Sequence, residues 1–595
     1  MNFHLFSRAG RLAAIGAILL GSASCITINE ELGESFIPTD QKWDVFPQEP
    51  ATLENIQLQM ADSLSGYSTT RFTFGSINDG SILGTSSKTS SMTLVPVWDT
   101  LDFGKNTKVR QFHFSASRDT FSTIFDYEAK MLQNIYVHEL RKPLDSTIIY
   151  TSSLSDPKVL NEFVDLGKRI TAGVPVYSGG DSLSFDFSIE FAEKVIRKID
   201  EAQRAGKMDS VSSYLKYVPG IYFSTDAPVG KGGRINMFGL TIDNSNGYLA
   251  GNYAELKITA EYDYSDEPVD TSFIFLLGPG DFITINEETG SVNYPKQFAF
   301  NACDHATSQT YKDGVKASEK IYVEGGGGVK PVVKAQEIKQ ILERQLAAEG
   351  ISDPMEVVIN KATIILPYNV EGDFSLLDNY PSILSPTVRL RSTDGKYVTY
   401  AGLTDSSIST ENQGEINRSL NQYSPDISHH VQEILKLKRG VGEGVDPNET
   451  EEQYAKRLEN YDIWFLIMHK EIVEDTTYDS GYNDYYNNLY YNSYYNNMMY
   501  DPYGYGYGGY GGYGGYGYGG YGYGGYGGYG GYSNYYNYAM MAYYASMYNT
   551  STPTEEFTTE LDTDRFYNAV LNGPLASGAK PPQLKITFSA PASAE

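Results

Sequence analysis

The chain has 595 residues and a mass of 66.0 kDa, with 46 Lys and Arg against 74 Asp and Glu and a formal net charge of -28. That acidic excess excludes nucleic acid as a main partner, which would need clustered Lys and Arg. The length suffices for two to four domains with substantial cores, while 58 Gly and 50 Tyr stand far above ordinary usage.

The N-terminus predicts an address. Arg8 and Arg11 form a short positive region, and Leu12 to Leu20 form an apolar stretch too short to span a bilayer. Gly21, Ser22, Ala23 and Ser24 then lead to Cys25. Small residues before a Cys resemble a bacterial lipoprotein signal, in which the Cys thiol receives acyl chains. Ser22 departs from the Leu that such signals prefer. The expected organisation is a signal peptide over 1–24, then lipidated Cys25 and a polar tether over 25–45. Glu30, Glu31 and Glu34 are acids near the anchor, and resemble weakly the surface-export signals of Bacteroidota lipoproteins. Only one other Cys exists, Cys303, so a lipidated Cys25 leaves no disulfide.

A first β-rich domain is expected over 46–324. "TLENIQLQM", "STTRFTFGS", "SSMTLVPVW", "TKVRQFHFSAS", "QNIYVHEL" and "SLSFDFSI" place apolar residues at period two. "IEFAEKVIRKIDEAQRAG" switches to helical period, with Phe191, Val195, Ile196 and Ile199 on one face and Gly206 as a stop. Strands resume in "GIYFSTD", "GRINMFGLTID" and "AELKITAEYDY". Gly325 to Gly328 read equally well as a linker or as a turn where backbones approach closely.

A second β-rich domain is expected over 325–477 and 549–595. It opens with the helix "VKAQEIKQILERQLAAEG". "MEVVINKATIILPYNV" reads as a pair of strands, and a hairpin is expected around Asp394 and Gly395. Asp426 is a candidate cap for the helix "DISHHVQEILKLKRG", and Asn448 or Thr450 for the next one. "DIWFLIMHKEIV", "RFYNAVL" and "PQLKITFSA" are the closing strands. The predicted fold class is mainly β with a few helices, as tandem β-sandwich or jelly-roll-like domains.

Residues 478–548 are a different polymer, with 27 Tyr and 19 Gly in 71 positions and no Lys or Arg. Nearly devoid of aliphatic side chains and rich in glycine, this tract cannot build an ordinary core. It reads as a flexible insertion. Its rings are also suited to stacking on sugars or on other proteins, with Tyr503, Tyr505, Tyr507, Tyr510, Tyr513 and Tyr516 as candidate contacts.

Chemistry is sparse in the sequence. The His residues are His4, His113, His138, His305, His429, His430 and His469. "VHELRK" at His138 lacks a second His and reads as strand. Adjacent His429 and His430 project about 100° apart on a helix, which is not a metal pair. "CDHA" at Cys303 to Ala306 has no second ligand pair nearby. "DNSNG" at Asp243 to Gly247 half-resembles a calcium loop but reads better as a hairpin turn. Calcium on the acidic surface stays open. Neither a hydrolase elbow, a zinc helix nor a phosphate loop occurs. The expectation is no catalytic residue, no metal site and no cofactor, although residues dispersed in sequence would escape such a reading.

The order "ELGESFIP", "SSMTLVPVWDTLDFG", "QNIYVHELRKPLDS", "VPGIYFSTD", "GRINMFGLTI", "YVEGGGGVKPVV", "VINKATIILP" and "PQLKITF" resembles the Bacteroidota lipoprotein family catalogued as domain of unknown function 4270. The resemblance covers nearly all of the chain after Cys25 except the tyrosine tract. "INKATIILP" with "PPQLKITF" also looks like the start and end of jelly-roll domains in surface proteins. The resemblance implies an outer-membrane, surface-facing, lipid-anchored protein that is not an enzyme. By family-level analogy it would serve as scaffold or accessory subunit of an outer-membrane β-barrel complex, such as barrel-assembly or transport machinery. The alternative is a glycan-binding surface lipoprotein using exposed aromatics, and other surface lipoproteins are further conceivable partners.

Overall fold

The computed structural model describes residues 43–119, 132–243, 250–286, 292–370, 372, 374–392, 395–407, 412–442, 444–473 and 556–592. The signal, Cys25, nearly all of the tether and the tyrosine tract, with Tyr503, Tyr505, Tyr507, Tyr510, Tyr513 and Tyr516, lie outside them. The fold is mainly β, built from antiparallel sheets with a few helices.

Two sheets make the first sandwich. The larger has nine strands, and Thr85–Met92 lies at its centre. Arg71–Asn78 and Ile221–Thr225 share one side of that strand, and Ala299–His305 takes the other. The smaller sheet runs in the order Ser182–Asp186, Lys105–Ser117, Tyr253–Glu261, Val269–Leu277, Leu94–Pro96. Period-two apolar residues from both sheets meet in one core rich in phenylalanine. Phe114 of the smaller sheet packs against Phe223 of the larger, with ring centroids 5.5 Å apart. Each such buried ring contributes roughly 1.5–3 kcal/mol. The helix Ile189–Arg204 adds Phe191, Val195 and Ile199 to this core. Ser188 caps its start, and Gly206, at φ 64°, supplies the left-handed stop.

The second sandwich packs Trp43–Pro47, Gln583–Pro591 and Val358–Pro367 in one sheet against Gln57–Met60, Val329–Val333, Ile463–Val473 and Ile383–Arg391 in another. The helices Ala335–Ala348 and Ser428–Lys436 and the ribbon of Lys320–Glu324 with Asn568–Asn572 complete its core. Val358–Pro367 is one long strand where the sequence suggested a pair.

The chain path links the two sandwiches by insertion. Gln57–Met60 pairs with Val315–Lys316 and with Val329–Val332. The first sandwich, from Tyr67 to His305, is therefore a long excursion between neighbouring strands of the second. Residues 46–60 and 315–324, which the sequence reading grouped with the first domain, pack in the second core, and Trp43 to Val45, grouped with the tether, begin its edge strand.

Local expectations fare unevenly. Thr450, not Asn448, caps the helix Glu451–Leu458, through a reciprocal pair with Gln453. Asp426 does not cap Ser428–Lys436. Its carboxylate accepts from Thr363 Oγ1 and the Asn412 amide, while Asp405 reaches in from afar to take the His429 and His430 amides. Strands Ile383–Arg391 and Val398–Gly402 form the expected hairpin.

Candidate functional site: a sealed thiol, imidazole and carboxylate row

The two sandwiches meet along a polar seam, and the tetraglycine lies in it. Gly325 to Gly328 form a buried turn between Lys320–Glu324 and Val329–Val333. Glycine is required because backbones and side chains crowd the turn. A Cβ on Gly328 would sit 2.4 Å from Glu324 Cβ and 2.9 Å from His305 Cε1. One on Gly326, at φ 54°, would meet Cys303 Sγ at 3.1 Å, the Thr563 carbonyl at 3.2 Å and Lys88 Nζ at 3.3 Å. Of the two readings left open, the turn is the one observed.

Around that turn three groups stand in a row. Cys303 and His305 project from the same side of Ala299–His305, two residues apart on a strand. Cys303 Sγ is 3.0 Å from His305 Nε2, and His305 Nδ1 is 3.4 Å from Glu324 Oε1. The second carboxylate oxygen of Glu324 accepts from Thr307 Oγ1 at 2.9 Å and from the Val329 amide at 3.1 Å. Lys330 donates to the carbonyls of Glu324, Gly326 and Gly328, and Lys88 to the carbonyl of Thr563. Asn301 bonds Asp564 at 3.1 Å and Ser90 at 2.8 Å.

Burial and charge oppose each other at each group. Burial works against the Cys303 thiolate, but His305 and Lys88 outweigh it and bring the thiol down to about 7. Burial likewise disfavours the His305 imidazolium. Cys303 and Glu324 overcome that and raise it to about 10. Glu324 is held below the usual carboxylate range despite its burial, chiefly by His305. Burial dominates at Lys330, which falls to about 7. The three groups thus favour one another's charged forms: the thiolate and the carboxylate raise the imidazole, and the imidazole lowers both.

Nucleophile, imidazole and orienting carboxylate in that order are the parts of an activated thiol. Here all three side chains are buried. Cys303 is 5% exposed, and His305 and Glu324 are 4% each. Among the described residues no three His, Cys, Asp or Glu side chains converge to hold an ion. What the arrangement does is fasten: it ties Ala299–His305 of one sandwich to the Glu324 turn of the other. Residues 562–568 reinforce it. Phe566 packs with Ile77 and Ile235 of the first sandwich, and Asn568 Nδ2 bonds Asp79 and Ser81. Arg389 joins Asp62 at 2.8 Å, and the Tyr150 hydroxyl accepts from the Val398 amide.

The other histidines are scattered. His113 pairs with Asp186 on an exposed strand at 2.7 Å. His138 lies on a strand with Nδ1 near the carbonyls of Asp165 and Lys168. His430 Nε2 meets the Tyr461 carbonyl at 2.8 Å, and burial lowers its pKa. His469 lies 3.6 Å from Asp562. His4 is outside the described residues, as is the tip of "DNSNG", whose flanks Ile242–Asp243 and Ala250–Gly251 pair as a hairpin. Sequence reading flagged Cys303 and His305 through "CDHA" but missed Glu324, Lys330 and Lys88. One signal was available: Lys330 interrupts the otherwise apolar run "VKPVV".

No family profile, curated protein or solved structure matches this chain. Among the described residues no helix is long and apolar enough to cross a membrane.

Proposed function

We propose that this chain is a non-enzymatic, lipid-anchored scaffold or accessory subunit of an outer-membrane β-barrel complex, facing the cell surface. The observation that carries the reading is the sealed seam. Its thiol, imidazole and carboxylate are spent on holding two sandwiches in one arrangement, which suits a protein whose task is to present surfaces. The lipoprotein-like run from Arg8 to Cys25 and the order of segments that resembles the Bacteroidota family support the address. The test is affinity purification of the tagged chain from detergent-solubilised outer membranes. A β-barrel protein recovered in near-equal amount is the expected result, and the chain recovered alone overturns the proposal.

A further inference from the structure

The outer face of the sheet that holds the first strand carries exposed apolar side chains. Trp43–Pro47 is the edge strand, followed by Gln583–Pro591 and Val358–Pro367. Phe46 and Phe588 stack on the inner side at 5.5 Å, so the neighbouring positions point outward. The register places Val45 opposite Ser589 and Ser589 opposite Val358, with Trp43 opposite Pro591. Trp43 is 48% exposed, Val45 60% and Val358 47%. Two cations continue this face toward the centre of the sheet: Lys585 is exposed, and Lys361 pairs at 2.9 Å with Asp426, which is itself buried. Asp44 belongs to the opposite side of its strand, and Glu356 to the turn before Val358. In a chain of net charge -28, an outward row of Trp, Val and Lys stands apart.

We infer that this face lies on the lipid surface that holds the anchor, with Trp43 at the headgroup level and Lys361 and Lys585 toward lipid phosphates. The inference rests on the lipid-anchored reading above. Position supports it: Trp43 comes 18 residues after Cys25 in the sequence. Eighteen residues reach at most about 60–65 Å when fully extended, which bounds the distance of the opening strand from the anchor and raises its local concentration at the bilayer. Tryptophan prefers the interface, where its ring is half apolar and half wet, and lysine is drawn to an anionic surface.

The test uses tryptophan emission from the full lipidated chain in vesicles of phosphatidylethanolamine and phosphatidylglycerol with brominated acyl chains. The three tryptophans are Trp43, Trp98 and Trp464, and the difference between the parent and Trp43→Phe isolates Trp43. Brominated lipid is expected to remove about half or more of that difference signal, with aqueous iodide removing little. Quenching by iodide and not by brominated lipid, in protein shown by mass spectrometry to carry acyl chains on Cys25, overturns the inference while leaving the anchor intact. A dimer in which both quenchers fail assigns the face to a second copy, and equally overturns it. If Cys25 carries no lipid, the anchor reading fails by itself. The face is then tested with a Cys25→Ser chain, tethered by an N-terminal hexahistidine tag to nickel-chelating lipid in the same vesicles. Lipid quenching of Trp43 there sustains the inference, and its absence ends it.

Discussion

Replacing Glu324 by glutamine keeps the shape of the side chain and removes its charge from the seam. His305 then loses the carboxylate 3.4 Å from Nδ1. The imidazole is held at about 10 by Cys303 and Glu324 together. Stripping its proton at pH 7 costs about 4 kcal/mol when both are present, from 1.36 kcal/mol for each factor of ten. That is the ceiling on the electrostatic part of the loss at His305, since the ring is free to deprotonate instead of remaining an unpaired buried cation. Glutamine also offers only one acceptor oxygen, where two carboxylate oxygens face His305, Thr307 and the Val329 amide. A loss of about 2–4 kcal/mol follows, in line with breaking other buried ion pairs. The assay is denaturant unfolding by circular dichroism, paired with the rate at which a small disulfide reagent labels Cys303. It is done in a Cys25→Ser background, so that Cys303 is the remaining thiol of the two in the sequence. The midpoint should fall, and labelling should quicken by about 10- to 1,000-fold as the seam opens more often. The exposed control Glu267→Gln should stay within about 0.5 kcal/mol. A loss below about 1 kcal/mol, with Cys303 as slow as in the parent, would refute the ionic account of the row.

Gly328→Ala should destabilise by at least about 1–3 kcal/mol, because its methyl would collide with Glu324 and His305, and thermal unfolding reads the loss directly. Phe566→Ala should cost about 3–5 kcal/mol and make the seam more sensitive to limited proteolysis, because the ring fills the contact with Ile77 and Ile235. Replacing residues 474–555 with a short turn should leave the unfolding temperature within a few degrees, since Val473 and Glu556 are already cross-strand partners; collapse of the fold would show that the tract builds core. Glu449 is held at about 2, chiefly by its paired hydrogen bonds to Arg457 at 2.8 Å. Its folded pKa is depressed, so its contribution is present above about 4.5 and fades as pH falls toward 2. Glu449→Gln should therefore lower stability at pH 6 and flatten the acid limb of the stability profile across that window.

The sequence by itself determined the class and most of the elements. Period-two runs such as "STTRFTFGS" and "TKVRQFHFSAS" are strands because alternating side chains need one buried face, and that requirement is local. Helix Ile189–Arg204 was legible for the same reason, from its face of Phe191, Val195 and Ile199 to its stop at Gly206. Tertiary structure decided what distance in sequence conceals. The pairing of Gln57–Met60 with Val315–Lys316 and Val329–Val332 nests one sandwich inside the other, and no periodicity records which strands become neighbours. Asp405, a carboxylate from a remote turn, and not Asp426, accepts the free helix amides. Cys303 and His305 were visible as a pair, being two residues apart on one strand. Their partners Glu324, Lys330 and Lys88 become neighbours only when two sheets close on the glycine turn, and that closure converts an unremarkable "CDHA" into a charged row.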